Sequence, residues 1–229
     1  MNWAERFFHD QTILALLVPP NLFGSAETLQ RGGGAPKLPG IYAWYFDEIP
    51  RGVDDRDCHR LGKWTLLYCG ISPQRPPANG RAASRSHVRR RLQTHYTGNA
   101  YGSTLRLTLG CLLEIEIGTV LRRVGATGRF TFTNPGEQLL DTWMQDHARV
   151  AWAEDFRPWE AERRILSSGL PLPLNIEGNP CQQARNSLSA VRSAARRRAE
   201  TMPLIPDSGG PRRPKIDVLP IGTSGFAKE

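Results

Sequence analysis

Two short runs of aromatic and aliphatic residues, 41–46 (IYAWYF) and 64–70 (WTLLYCG), constrain this chain more than any other feature. Both have the length of a strand, and turn-forming residues bound them: Pro39-Gly40 before the first and a Pro/Gly-rich segment, 73–80, after the second. Side chains alternate along an extended strand, so Tyr42, Trp44 and Phe46 share one face of the first run. The two runs are expected to pair antiparallel across a long loop that holds Asp47, Glu48, Asp54, Asp55 and Asp57. A solvated loop explains those acids more simply than a cation site does.

Helical patterns flank the pair. Residues 2–18 place Trp3, Phe7, Leu14 and Leu17 on one face, with Asn2 to cap the helix and Pro19-Pro20 to stop it. The linker Gly32-Gly33-Gly34-Ala35-Pro36 separates that helix from the first strand. Another helix runs from Ser84 or Ser86 to Thr97, and Gly98 is placed to end it in a left-handed conformation. Ser103 caps the next one, which Leu105, Leu109, Leu112 and Leu113 line on one face. A hairpin over 119–124 and 129–133 follows. Asn134-Pro135-Gly136-Glu137 starts a helix, with Asn134 as cap, that reaches His147 and precedes a strand at 149–153. Pro158 opens a helix ending near Gly169, and a last helix covers 187–200. From Pro203 onward the Pro/Gly content predicts an extended or disordered tail.

Lys and Arg outnumber Asp and Glu by 30 to 22, and the surplus is concentrated. Residues 58–113 contain Arg60, Lys63, Arg75, Arg81, Arg85, Arg89, Arg90, Arg91 and Arg106 and no acid. A second acid-free stretch, 178–198, adds Arg185, Arg192, Arg196, Arg197 and Arg198. Arginine forks suit phosphate, so two such stretches favour a nucleic-acid partner over a merely solvated face. Arg75, Arg81, Arg85, Arg89, Arg90, Arg192, Arg196 and Arg197 are the expected phosphate contacts. The longest apolar run, 13–18, is far short of the roughly 20 residues a membrane span needs. Glu5 and Asp10 do not fit a signal peptide. A cytoplasmic protein with no membrane partner is therefore expected. Four scattered cysteines, Cys58, Cys69, Cys111 and Cys181, fit free thiols better than a disulfide framework or zinc.

Several residues could carry chemistry. Antiparallel pairing brings Tyr42 and Tyr68 toward one place. Arg91 and His95, four apart, share a helix face beside Val88 and Leu92. Glu160 has surface ion-pair partners in Arg163 and Arg164, whereas Glu162 shares the inward face of Ile165 and Leu166. A buried carboxylate needs a cation or a shifted pKa; a metal ion and a salt bridge to an arginine such as Arg91 both answer. Asn175 ends the rigid apolar turn Pro171-Leu172-Pro173-Leu174.

In this order the residues resemble the GIY-YIG nuclease family. Gly40-Ile41-Tyr42 matches the first half of its motif, and Tyr68-Cys69-Gly70 matches the second with Cys for the middle Ile. Arg91 with the spaced His95 is similar to the restriction-endonuclease branch. Glu162 followed by Arg163-Arg164-Ile165-Leu166, then Pro173-Leu174-Asn175, resembles the family's metal-binding Glu and closing Asn. The resemblance implies an α+β fold: a small, mostly antiparallel three-stranded sheet flanked by helices, with an inserted helical and hairpin segment at about 103–150. It divides the chain into an N-terminal helix and linker (1–37), the nuclease domain (38–180), a basic helix (181–202) and the tail (203–229).

The implied activity is endonucleolytic hydrolysis of DNA with one Mg2+ or Mn2+ held by Glu162. Tyr42 would activate or orient the attacking water, Arg91 would stabilise the phosphate's charge, Tyr68 and His95 would position or relay protons, and Asn175 would orient the phosphate. A catalytically inactive nucleic-acid-binding protein and an RNA-directed nuclease are the alternatives. Oligomeric state is open, a dimer on DNA being one arrangement.

Overall fold

The computed structural model describes residues 3–32, 34–79 and 84–206. Asn2, Arg81 and the tail from 207 onward, all of which carry expectations above, lie outside the described residues.

The N-terminal helix divides in two, α1 (Trp3–Arg6) and α2 (Gln11–Leu17), because Asp10 accepts from the Ile13 N–H at 3.2 Å and starts a new helix as its cap. A short α3 (Ser25–Leu29) precedes β1 (Gly40–Phe46), β2 (Arg60–Leu61) and β3 (Trp64–Ser72). Then come α4 (Val88–Thr97), α5 (Thr104–Leu112), the hairpin β4 (Arg122–Val124) and β5 (Arg129–Thr131), and α6 (Thr133–His147). The chain continues through β6 (Ala148–Glu154), α7 (Pro158–Ser167) and α8 (Gln182–Thr201).

The main sheet is antiparallel with the order β2-β3-β1-β6, so it has four strands rather than the expected three. The extra strand, β2, is two residues long and folds back on β3 through Gly62 at φ 58°; a run that short carries no strand pattern. β1 lies between β3 and β6, and all seven of its residues are buried. Its two faces serve two cores. Tyr42, Trp44 and Phe46 pack among Val88, Leu92 and Tyr96 of α4 and Leu140 and Met144 of α6. Ile41, Ala43 and Tyr45 meet Ile13, Leu16 and Leu17 of α2 and Ala161 and Ile165 of α7. The sheet is thus sandwiched between helices, as alternation along β1 requires.

Several helix boundaries differ from expectation: α4 opens at Val88 rather than at Ser84 or Ser86, because His87 Nδ1 accepts from the Arg90 N–H at 3.1 Å and caps it. Gly98 ends α4 in an extended conformation at φ −82°, and a Cβ there would collide with the Thr94 carbonyl; close approach, not left-handedness, demands the glycine. α6 begins at Thr133, so Asn134 is not its cap. The Glu137 carboxylate accepts instead from the Ala100 N–H at 2.7 Å and the Phe132 N–H at 3.2 Å. α8 starts at Gln182, five residues before the expected 187.

Two interactions set the stage for the site. Arg106 of α5 is fully buried, and donates to Glu137 Oε2 at 2.7 Å, to Asp141 Oδ1 at 2.8 Å, and to the carbonyls of His95 and Tyr96 at 3.0 Å. This cation from the acid-free run is therefore internal and neutralised by α6. The β4–β5 hairpin grips the end of α8: Arg123 donates to the carbonyls of Ala199, Glu200 and Met202, and Ile205 bridges to Val124. Among the described residues, no helix is long and apolar enough to cross a membrane.

Candidate active site

The site grows out of the β1–β3 register. Tyr42 lies opposite Gly70 and Trp44 opposite Tyr68. A Cβ on Gly70 would sit 2.6 Å from Tyr42 Oη, so only glycine there lets the tyrosine ring lie across the neighbouring strand. Gly40 is hemmed in by the Ala153 carbonyl of β6 and by Val88 of α4. Both motif glycines are positions of close approach.

On the same face α4 presents His95, with Nε2 2.9 Å from Tyr42 Oη and Nδ1 2.7 Å from Ser103 Oγ. The His95 ring also touches Tyr68, with centroids 6.1 Å apart, and meets Trp44 edge-on at 5.8 Å. Arg91, one turn earlier on α4, donates to the Gly102 carbonyl at 2.9 Å and is half-buried. Tyr42, Tyr68, Arg91 and His95 therefore form one group.

The electrostatics follow from burial. Burial, with Tyr68 close by, pushes the Tyr42 phenol well above its ordinary value, while the Arg91 guanidinium pulls it down. Tyr68 is likewise raised by burial against the pull of Arg91 and Thr104. Burial and the charges of Arg91 and Arg106 hold His95 well below the usual imidazole range, so it is neutral at pH 7.

Glu162 approaches from α7, which packs on β3 and β1. Its carboxyl is half-buried and pushed up to about 7 by burial and by the nearby Glu177. Its charge acts on Tyr68 and Cys69. Among the described residues it has no ion-pair partner, so the salt bridge to Arg91 considered above is not formed. Its neighbours do find partners: Glu160 pairs with Arg157 rather than Arg163 or Arg164, and Arg164 pairs with Asp10 at 2.7 Å. No cluster of three or more His, Cys, Asp or Glu that could hold a metal occurs among the described residues. A lone open carboxylate still fits a hard cation that completes its shell with water and phosphate oxygens.

Asn175 lies along the edge of β3. Its Oδ1 accepts from the Cys69 N–H at 2.9 Å and its Nδ2 donates to the Cys69 carbonyl at 2.8 Å. With Leu174 N–H on the Leu67 carbonyl at 3.0 Å, it covers the edge of β3 that the short β2 leaves open. Asn175 thus fixes the strand that carries Tyr68; its amide is committed to the backbone.

The arginines divide. Arg75, Arg85, Arg90 and Arg197 are exposed. Arg89 is spent on the Leu29 and Gln30 carbonyls, at 2.6 and 2.7 Å. Arg196 lies over the Phe130 ring at 5.8 Å, Arg198 pairs with Glu114, and Arg185 donates to Gln182. Arg192 is half-buried on the inward side of α8, beside Leu188 and Ala195. Its buried Nε has no partner among the described residues, and its charge reaches Tyr68. In the sequence Ser103 shows only as a helix cap, and Arg106 only as one of nine cations in an acid-free stretch. Both are central to how His95 is held, and their partners lie on other elements, so local pattern could not reveal them.

No curated protein and no solved structure matches the chain. The family model of the GIY-YIG catalytic domain matches residues 40–194, which run from the first motif glycine through Arg192. With both motif glycines, the paired tyrosines and the helix arginine in place, the chain belongs to the GIY-YIG catalytic domain family.

Proposed function

We propose that this protein is a metal-dependent endonuclease that hydrolyses phosphodiester bonds in DNA. Domains of this family are usually endonucleases and generally use divalent metal ions, which supports this reaction class. The observation that carries the reading is Glu162: a half-buried carboxylate with no ion-pair partner among the described residues, within electrostatic reach of Tyr68. One Mg2+ or Mn2+ held by Glu162 would neutralise charge on the scissile phosphate and the leaving oxygen.

The chain's own residues do the rest. Tyr42, whose phenol burial keeps protonated, orients the attacking water through its oxygen, or takes that water's proton as it hands its own to the phosphate. Arg91 stabilises negative charge on the phosphate from the same face. His95, neutral, holds Tyr42 in place, and Tyr68 lines the approach between Tyr42 and Glu162. Asn175 acts through β3. The exposed Arg75, Arg85, Arg90 and Arg197 follow the phosphate backbone, and Arg192 brings an unpaired guanidinium edge close to Tyr68.

Supercoiled plasmid incubated with purified protein, in magnesium or in chelator, tests this reading. Nicking or linearisation in magnesium alone, lost in Tyr42→Phe, supports it. Binding without cutting on any substrate would mean a nucleic-acid-binding protein that has lost catalysis. Cutting of single-stranded RNA with plasmid left intact would move the substrate to RNA.

A further inference from the structure

His95 sits at 0% exposure between two hydroxyls, Tyr42 Oη on Nε2 and Ser103 Oγ on Nδ1. A neutral imidazole carries one N–H, so the three groups share three hydrogens in one of two directions. In the first, Tyr42 donates to Nε2, Nδ1–H donates to Ser103, and the serine hydrogen is left over. In the second, Ser103 donates to Nδ1, Nε2–H donates to Tyr42, and the tyrosine hydrogen is left over.

The surroundings separate the two. Ser103 is 1% exposed, and its oxygen already accepts the Arg106 N–H at 3.1 Å as the cap of α5. Among the described residues, no third group bonds to that hydroxyl, and no ligand would reach it. A leftover hydrogen there would stay buried without an acceptor. Tyr42 is just as buried in the free protein, at 1% exposure, and the Arg91 guanidinium donates to its oxygen, so its leftover hydrogen gains an acceptor when a phosphate or water enters on the Arg91 side.

We propose that Ser103 is a positioning residue whose hydroxyl donates to Nδ1 and locks His95 as the Nε2–H tautomer, making His95 a hydrogen-bond donor to Tyr42. As the phenol hydrogen passes to the incoming phosphate or water, the negative charge developing on the Tyr42 oxygen meets a fixed N–H as well as the Arg91 charge, and His95 itself gains no proton. The lock begins the segment that runs on to the Arg106–Glu137 pair, so the long stretch between α4 and β6 takes part in the chemistry by fixing one ring. The inference rests on Tyr42 working at the reacting phosphate, but the tautomer can be read without any activity.

Long-range 1H–15N correlation spectra of the histidine rings in 15N-labelled protein report which nitrogen is protonated, and His95→Gln identifies the His95 signals by their disappearance. The expected pattern has Nε2 protonated and Nδ1 bare. Ser103→Asp keeps an oxygen to cap α5 but can only accept from His95, so it should reverse the tautomer. In that variant kcat should fall about 10- to 100-fold, the usual cost of disturbing a ring-orienting partner, while KM changes little. Ser103→Thr keeps both hydroxyl and cap and should restore the wild-type spectrum and kcat. A wild-type ring protonated on Nδ1, or an unchanged spectrum in Ser103→Asp, would overturn the proposal. The expected spectrum in a protein that cuts no nucleic acid would sustain the lock and remove the nuclease reading.

Discussion

Arg106 and Glu162 are both charged side chains set against apolar packing, and the molecule treats them in opposite ways. Arg106, on the α4–α5–α6 side, meets two carboxylates and three carbonyls, and nothing further can be added to it. Glu162, on the α7 side, meets no cation among the described residues, and its carboxyl is raised to about 7. A buried charge whose partners come from its own chain is scaffold; one left open marks where a ligand of opposite charge belongs. Between them, Tyr42 and His95 are anchored to the closed side, and Tyr68, packed against the His95 ring, lies within electrostatic reach of Glu162.

The sharpest way to break this contrast is to open the closed side. Arg106→Met removes the buried cation that the Glu137 and Asp141 carboxylates share and should cost about 3–5 kcal/mol of unfolding free energy, read by denaturant titration. A loss under about 1 kcal/mol would show that the cluster is not scaffold. Asn175→Ala should cost about 1–3 kcal/mol by stripping both partners from the Cys69 backbone, and faster hydrogen exchange at the Cys69 amide would localise the effect. Unchanged exchange there would separate Asn175 from β3.

The open side makes a pH-dependent prediction. Glu162 has a folded pKa near 7, above the ordinary carboxyl value of 4.5, so folding favours its protonated form. Its contribution to stability is complete below about 4.5 and is lost as pH rises through about 7. A divalent cation competes with that proton, so magnesium at tenfold excess over its Kd should stabilise the fold by about 1 kcal/mol at pH 8 and by less at pH 6, read as a larger rise in thermal midpoint at pH 8. Equal shifts at both values, or the same pH trend in Glu162→Gln, would detach the metal from this carboxylate. Smallest is the effect of Arg192→Ala, which should lower the slope of log affinity against log salt by about 0.9, one phosphate contact; Arg196→Ala, already stacked on Phe130, should change it less.

What could be read from the sequence was local. β1 and β3 show in their aromatic runs, Arg91 and His95 in their spacing on one helix face, and Glu162 in its place among Ile165 and Leu166. What could not be read was long-range satisfaction. Arg106 shows only as one cation of an acid-free stretch because Glu137 is 31 residues away. Asn175 looked free for a phosphate because Cys69 lies 106 residues away across the fold. The break at Asp10 is the local exception: a capping side chain overrode a continuous apolar stripe.

Cleavage of supercoiled plasmid by Glu162→Gln beside wild type, in magnesium and with the unfolding free energy measured on the same samples, tests the central claim most directly. The variant should fold at least as stably as wild type, because an uncompensated carboxylate has been removed, while cleavage falls by roughly 10²- to 10³-fold or more. A Glu162→Gln protein that cuts like wild type would show that the open carboxylate holds no catalytic metal.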